Sequence, residues 1–139
     1  MNHSENKAVV QELDDLGNGA GDVSRLDALC TPDLVNHALA PHMPPGIEGT
    51  RQFLTSARRN RYPGRWVESF VVAEEDLVVQ FGSRELHWPG GGFRGFDLRE
   101  GVCTRDVALA YRLREGRIAE RWAIRDDLAM ILQLGGLGQ

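Results

Sequence analysis

An α+β fold is predicted by a change of period along the chain and by the order of the two periods. Apolar residues recur at helical spacing as far as Ala57, and from Trp66 onward they alternate every second residue. Helices first and long strands afterwards indicate a curved, mainly antiparallel sheet folded against N-terminal helices. A length of 139 residues suits one domain with one core, taken as residues 1–139.

Val9, Val10, Leu13 and Leu16 share one helical face, and "GNGAG" stops the run. Val23, Leu26 and Leu29 suggest a second short helix ending near Pro32. The proline-rich "NHALAPHMPPG" reads as a loop, and "IEGTRQFLTSARRN" resumes helical spacing through Phe53, Leu54 and Ala57. "RWVESFVVAEE", "DLVVQFGSRELHW", "VCTRDVALAYRLR" and "RIAERWAIRD" read as four strands, with "PGGGFRG" joining the second to the third. A closing helix, Asp127 to Leu134, ends in "GG". Strands this long, bent around helices, can enclose a ligand cavity.

The bulk composition excludes several classes. The net charge is −4 with no basic block, which argues against nucleic acid as a partner. No run approaches the ~20 apolar residues of a membrane helix, and the first residues lack a leader pattern, so a cytoplasmic location is expected. Cys30 and Cys103 read as two buried, reduced thiols. The histidines lack short ligand spacing, so no metal is assigned, and no Ser or Cys sits in a nucleophile elbow.

"YRLREGRIAERW" predicts a tight hairpin, with Glu115-Gly116 as its two-residue loop. An uninterrupted ladder sets Leu113 opposite Ile118, Tyr111 opposite Glu120, Leu109 opposite Trp122, Val107 opposite Ile124 and Arg105 opposite Asp126. Most of these are aliphatic or aromatic, so this row is expected to face inward, carrying Glu120, Arg105 and Asp126 with it. Asp126 then reads as a general acid/base at an apolar pocket, as an ion pair with Arg105, or as the cap of the helix that follows. Asp127 points the other way by parity. The Ala/Arg row on the opposite face, from Asp106 to Arg114 and from Arg117 to Arg125, suits a surface or a subunit contact.

Trp122 serves as core or as a stacking surface for a flat ligand, and Trp66, opening the strand region, is a further such candidate. Asn36 and His37, before the proline loop, are candidate pocket donors or acceptors. His87 ends the row Leu77, Val79, Phe81, Ser83, Glu85, which turns polar as at a pocket mouth.

Several of these segments together resemble a known family. "GIEGTRQFL", the Asn36-His37 dipeptide before it, and "YRLREGRIAERWAIRDDLAMILQLG" are similar to SnoaL-like polyketide cyclases, of the nuclear-transport-factor-2-like and ketosteroid-isomerase-like superfamily. The likeness covers roughly residues 22 to 135, and its most specific part is the C-terminal pattern. It implies a cone-shaped α+β barrel, usually dimeric through the outer sheet face. It also implies intramolecular aldol ring closure of a hydrophobic polycyclic polyketide, as in antibiotic biosynthesis, without cofactor. The family's aspartate, four residues after the tryptophan, falls on Asp126. Arg105 would then hold the enolate oxygen. Tyr111, His87, Asn36 and His37 would bond substrate oxygens, with Glu120, Trp66 and Trp122 lining the substrate. "LHWPGGGFRG" departs from the family's usual strand end, which loosens the match at His87. Cofactor-free hydroxylation, epoxide hydrolysis, and ligand binding without catalysis are the alternatives on this fold.

Overall fold

The first helix starts from a reciprocal cap. The Asn2 side chain accepts the Glu5 N–H at 2.7 Å, and the Glu5 carboxylate accepts from Asn2 Nδ2 at 3.1 Å. From there the computed structural model, which describes residues 2–60 and 64–138, runs α1 (His3–Gly17), a 3₁₀ turn (Val23–Arg25), α2 (Leu26–Leu29), β1 (Cys30–Asn36) and α3 (Gly46–Asn60). Then follow β2 (Gly64–Glu74), β3 (Leu77–Trp88), β4 (Gly91–Phe93), β5 (Phe96–Leu98), β6 (Gly101–Arg114), β7 (Arg117–Arg125) and α4 (Asp127–Gln133). The side chain of Ala57, expected on the apolar face of α3, lies outside the described residues.

Five strands form one curved sheet in the order β1-β7-β6-β3-β2, and β4 with β5 forms a separate hairpin. The α+β class and the four long strands agree with the sequence. The sheet is not closed, however: β1 and β2 are its two edges. Two elements were not legible. After one turn of α2 the chain becomes an edge strand, parallel to β7, rather than a helix running to Pro32. Pro32 is tolerated there because an edge strand can spare an N–H. "PGGGFRG" likewise contains short pairings rather than only a loop.

Two clusters make the core. Val10, Leu13 and Leu16 of α1 pack with Leu26, Leu54, Val78, Leu109 and Tyr111, and Leu86, Leu98, Cys103, Met130, Ile131 and Leu134 form a second group. Both cysteines are buried free thiols, and burial pushes Cys30 up to about 12. At Gly82 the β2 backbone comes so near that an added Cβ would stand 2.1 Å from the Glu68 carbonyl oxygen. Among the described residues no helix is long and apolar enough to cross a membrane.

The hairpin turn is as expected, with Glu115 at φ 52° and Gly116 at φ 81°, and Leu113 faces Ile118. One residue later the ladder shifts. Arg112 faces Glu120, which leaves Ala119 as the extra residue of a β-bulge. A slip of one position sends every later side chain to the opposite face. Tyr111 therefore faces Arg121, Leu109 faces Ala123 and Val107 faces Arg125, on the inner side. Glu120, Trp122 and Ile124 join the outward row, and Ile124 is 73% exposed while Leu109 opposite Ala123 is 1% exposed. The expected inward placement of Glu120 and Trp122 is thus corrected by a single inserted residue.

This register has a direct test. Ala123→Phe forces a ring against buried Leu109 and should cost about 1–3 kcal/mol in urea unfolding. Had the straight ladder held, Ala123 would point to solvent and the change would lie within about 0.5 kcal/mol.

Candidate active site

A cavity of about 280 Å³ opens where the two core clusters meet. Its apolar wall includes Leu13, Leu54, Val107, Leu86, Phe93 and Met130. Against this wall the fold sets two aspartates, each held by arginine.

The first comes from α1. Val10, Leu13, Asp14 and Gly17 follow helical spacing, so Asp14 lies within the apolar stripe and is 7% exposed. Arg84 Nη1 reaches Asp14 Oδ1 at 2.8 Å, and the Trp66 indole N–H donates to Oδ2 at 2.8 Å. The same guanidinium donates to Asn18 Oδ1 and lies 4.6 Å from the Trp66 ring centroid. A buried carboxylate needs such company, since an unpaired charge is strongly unfavourable.

The second aspartate begins α4. Asp127 Oδ1 accepts from Arg105 Nη1 at 2.5 Å and Oδ2 from Arg94 Nε at 2.6 Å, with the Asp127 side chain 16% exposed. Its neighbour Asp126 is exposed and caps the helix, accepting the Ala129 N–H at 3.1 Å. The bulge has exchanged the two: Asp127 lines the cavity and Asp126 does not. Gln133 fixes α4 in place by bonding both backbone groups of Thr104, at 3.0 and 2.6 Å, where β7 no longer reaches.

Of the residues expected at the site, Asn36, Arg105 and Tyr111 line the cavity. Asn36 Nδ2 donates to Thr50 Oγ1 at 3.0 Å. Tyr111 is 1% exposed, and burial holds its phenol above the ordinary range. Trp66 touches the site through Asp14 rather than as wall. Trp122, His37 and Glu120 form an outer group instead: the His37 ring stacks on Trp122 with centroids 5.2 Å apart, and its Nε2 lies 2.7 Å from Glu120 Oε2. His87 is on the outward row of β3, exposed, with Nε2 3.2 Å from Glu100. The inward row of β3 is Val78, Gln80, Gly82, Arg84 and Leu86.

Sequence reasoning missed Asp14, Arg84, Asp127, Arg121 and Arg125. A charge inside the helical stripe was the available signal for Asp14. Arg121 and Arg125 carry none, because only the bulge turns them inward. The Arg125 guanidinium makes no hydrogen bond or ion pair with any described residue. Its surroundings pull its guanidinium down to about 10, through burial first and the arginines Arg121, Arg105 and Arg84 beside it, with Asp127 opposing in part.

The two kinds of arginine should respond oppositely to the same substitution. The folded state lowers the affinity of Arg125 for its proton, so at neutral pH its charge costs stability relative to the unfolded chain. Arg125→Met should therefore raise the melting midpoint, by about 3–8 °C. Arg84→Met strands Asp14 and should cost about 3–5 kcal/mol. Calorimetry of both variants checks the pair, and a lowered midpoint for Arg125→Met would contradict the assignment.

Comparison with known proteins identifies the fold. Residues 10–121 match the model of the SnoaL-like domain. No curated protein matches the sequence at a significant level. TsrD from Streptomyces laurentii is similar in structure at 20% identity and TM-score 0.75, covering 98% of both chains. IdmH from Streptomyces antibioticus, to which polyketide cyclase activity is ascribed, is 25% identical with TM-score 0.73, over 94% of this chain and 98% of that one. AclR from Streptomyces galilaeus, to which hydroxylase activity is ascribed, is 18% identical with TM-score 0.72, over 99% and 85% of the two chains. The chain belongs to the SnoaL-like domain family.

Proposed function

We propose that the protein is a cofactor-independent polyketide cyclase that closes a ring by intramolecular aldol chemistry, with Asp127 as the acid/base. The observation that supports this most is the Asp127–Arg105 pair, at 2.5 Å, on the wall of a cavity that also presents Leu13, Leu54, Val107 and Phe93. The 25% identity with IdmH supports the same class of substrate.

A carboxylate base calls for a comparatively acidic carbon. A methylene between two carbonyls is such a carbon. Asp127 would take its proton while the remaining donors of Arg105 bond the enolate oxygen. The enolate carbon then attacks a carbonyl carbon of the same molecule, forming the new C–C bond. The electron pair of that carbonyl moves onto its oxygen, which recovers the proton from Asp127. Tyr111 and Asn36 would hold substrate oxygens, and the apolar wall would fold the chain into reach; positioning of this kind contributes ~7–11 kcal/mol in favourable intramolecular reactions. Asp126 has no place in this scheme.

Exchange of the methylene hydrogens of benzoylacetone for deuterium, followed by NMR, isolates the first step. Asp127→Asn should slow the catalysed exchange by about 10²-fold or more, and Asp126→Asn should leave it within about twofold. Equal loss in both variants would remove Asp127 as the base. Ring closure that consumes molecular oxygen would favour the hydroxylase reading instead, and turnover of an epoxide with water the hydrolase reading.

The outer sheet face supports the homodimer and its place. Phe70, Phe81, Ala108 and Ile124 lie side by side across four strands, and Val72, Val79, Ala110 and Trp122 make the next rung. Phe70 is 58% exposed and Ile124 73%. A second copy laid on these rungs would cover them. Sedimentation should find a dimer that Phe81→Arg with Ile124→Arg converts to monomer; a wild-type monomer would contradict this.

A further inference from the structure

We infer that the cavity recognises a ligand bearing a carboxylate, seated between Arg121 and Arg125 with its aromatic body against the apolar wall. The inference deepens the proposal above by naming the substrate class, and it rests on the cavity being the ligand site.

The balance of charge carries it. The protein as a whole has net charge −4, yet the cavity wall holds five arginines, at 84, 94, 105, 121 and 125, against two aspartates, at 14 and 127. Three of the arginines are matched. Arg84 is on Asp14, and Arg105 and Arg94 share Asp127. The other two are not. Among the described residues Arg121 has only neutral side-chain partners, Asn36 Oδ1 at 3.5 Å and Tyr111, whose ring centroid lies 5.8 Å from its Cζ. The Arg125 guanidinium makes no hydrogen bond or ion pair with the described residues, and only the more distant charge of Asp127 favours it. Beside them the buried Arg105 Nε also lacks an acceptor among the described residues.

Arg121, Ala123 and Arg125 alternate along β7, so both guanidinium groups leave the same face with only a methyl between them. Holding two such cations inside a domain, near two more, is unfavourable unless an anion joins them. Guanidinium presents a planar fork that pairs with a carboxylate through two parallel hydrogen bonds. A phosphate ester suits the cavity less well. The α4 N-terminus, the element that usually seats phosphate, is already capped by Asp126 and carries Asp127. Beyond the arginines the wall includes Leu13, Phe53, Leu54, Trp88 and Phe93, which fits an aromatic acid rather than a small polar one.

Equilibrium binding at neutral pH separates the cases without requiring turnover. By titration calorimetry naphthalene-2-carboxylate should bind at least about tenfold more tightly than naphthalene-2-carboxamide, which has the same shape and no charge. It should also bind more tightly than 2-naphthyl phosphate. Arg125→Gln and Arg121→Gln should each reduce the preference over the amide, the double variant should abolish it, and Arg125→Lys should keep part of it. Arg112→Gln, on the outer face, should leave it unchanged, and circular dichroism confirms that each variant is folded. A carboxylate that binds no better than the amide, whether both bind or neither does, overturns the inference, as does a stronger phosphate or a preference that survives the double variant. Failure of Asp127→Asn to slow deuterium exchange would instead remove the acid/base reading and leave this one standing.

Discussion

One inserted residue, Ala119, decides what the cavity contains. Without it, β7 would continue the ladder that the Glu115-Gly116 turn begins, and Trp122 and Ile124 would fill the inner face. With it, Arg121, Ala123 and Arg125 turn inward, and the chain leaves the strand with Asp127 rather than Asp126 directed at the cavity. The bulge thus replaces bulky apolar side chains by an alanine and two arginines at the point where the two core clusters meet. Space and charge arrive together, from the same backbone feature.

Such a site is expensive for the fold to maintain. Asp14 with Arg84, and Asp127 with Arg105, are removed from water and repay that only through close geometry and added hydrogen bonds. Trp66 and Asn18 supply those bonds for the first pair, and Arg94 supplies one for the second. Arg125 has no such compensation from the described residues. A domain of this size is stable by only about 5–15 kcal/mol, so a charge left unmatched points to a partner outside the chain. The chemistry follows from the same arrangement. A carboxylate base calls for a comparatively acidic carbon, and guanidinium groups without a carboxylate of the protein select an anionic substrate.

Much of the fold was legible because it depends on local period. The four long strands, the position of the hairpin turn and the closing helix all follow from alternation, Gly116 and the terminal glycines. The edge strand β1 was not, since its pairing with β7 comes from a distant segment and its own sequence contains Pro32. The site was read less well for one physical reason. Alternation along β7 changes face at the extra residue Ala119, which only the pairing with β6 reveals. Arg105 and Tyr111 lie on β6, before any shift, and were placed correctly. Glu120, Trp122 and Asp126 lie beyond it and were inverted. Asp14 was available to inspection, as a carboxylate within an apolar helical stripe, and Arg84 as the charge alternating with Val78 and Leu86.

The register of β6 against β7 is the measurement on which the account depends most directly. Cross-strand nuclear Overhauser contacts between backbone protons report it without any ligand or substrate. The account predicts that Tyr111 contacts Arg121, Leu109 contacts Ala123 and Val107 contacts Arg125, with Ala119 unpaired. Contacts from Tyr111 to Glu120 and from Leu109 to Trp122 would contradict it, and would return the arginines to the surface.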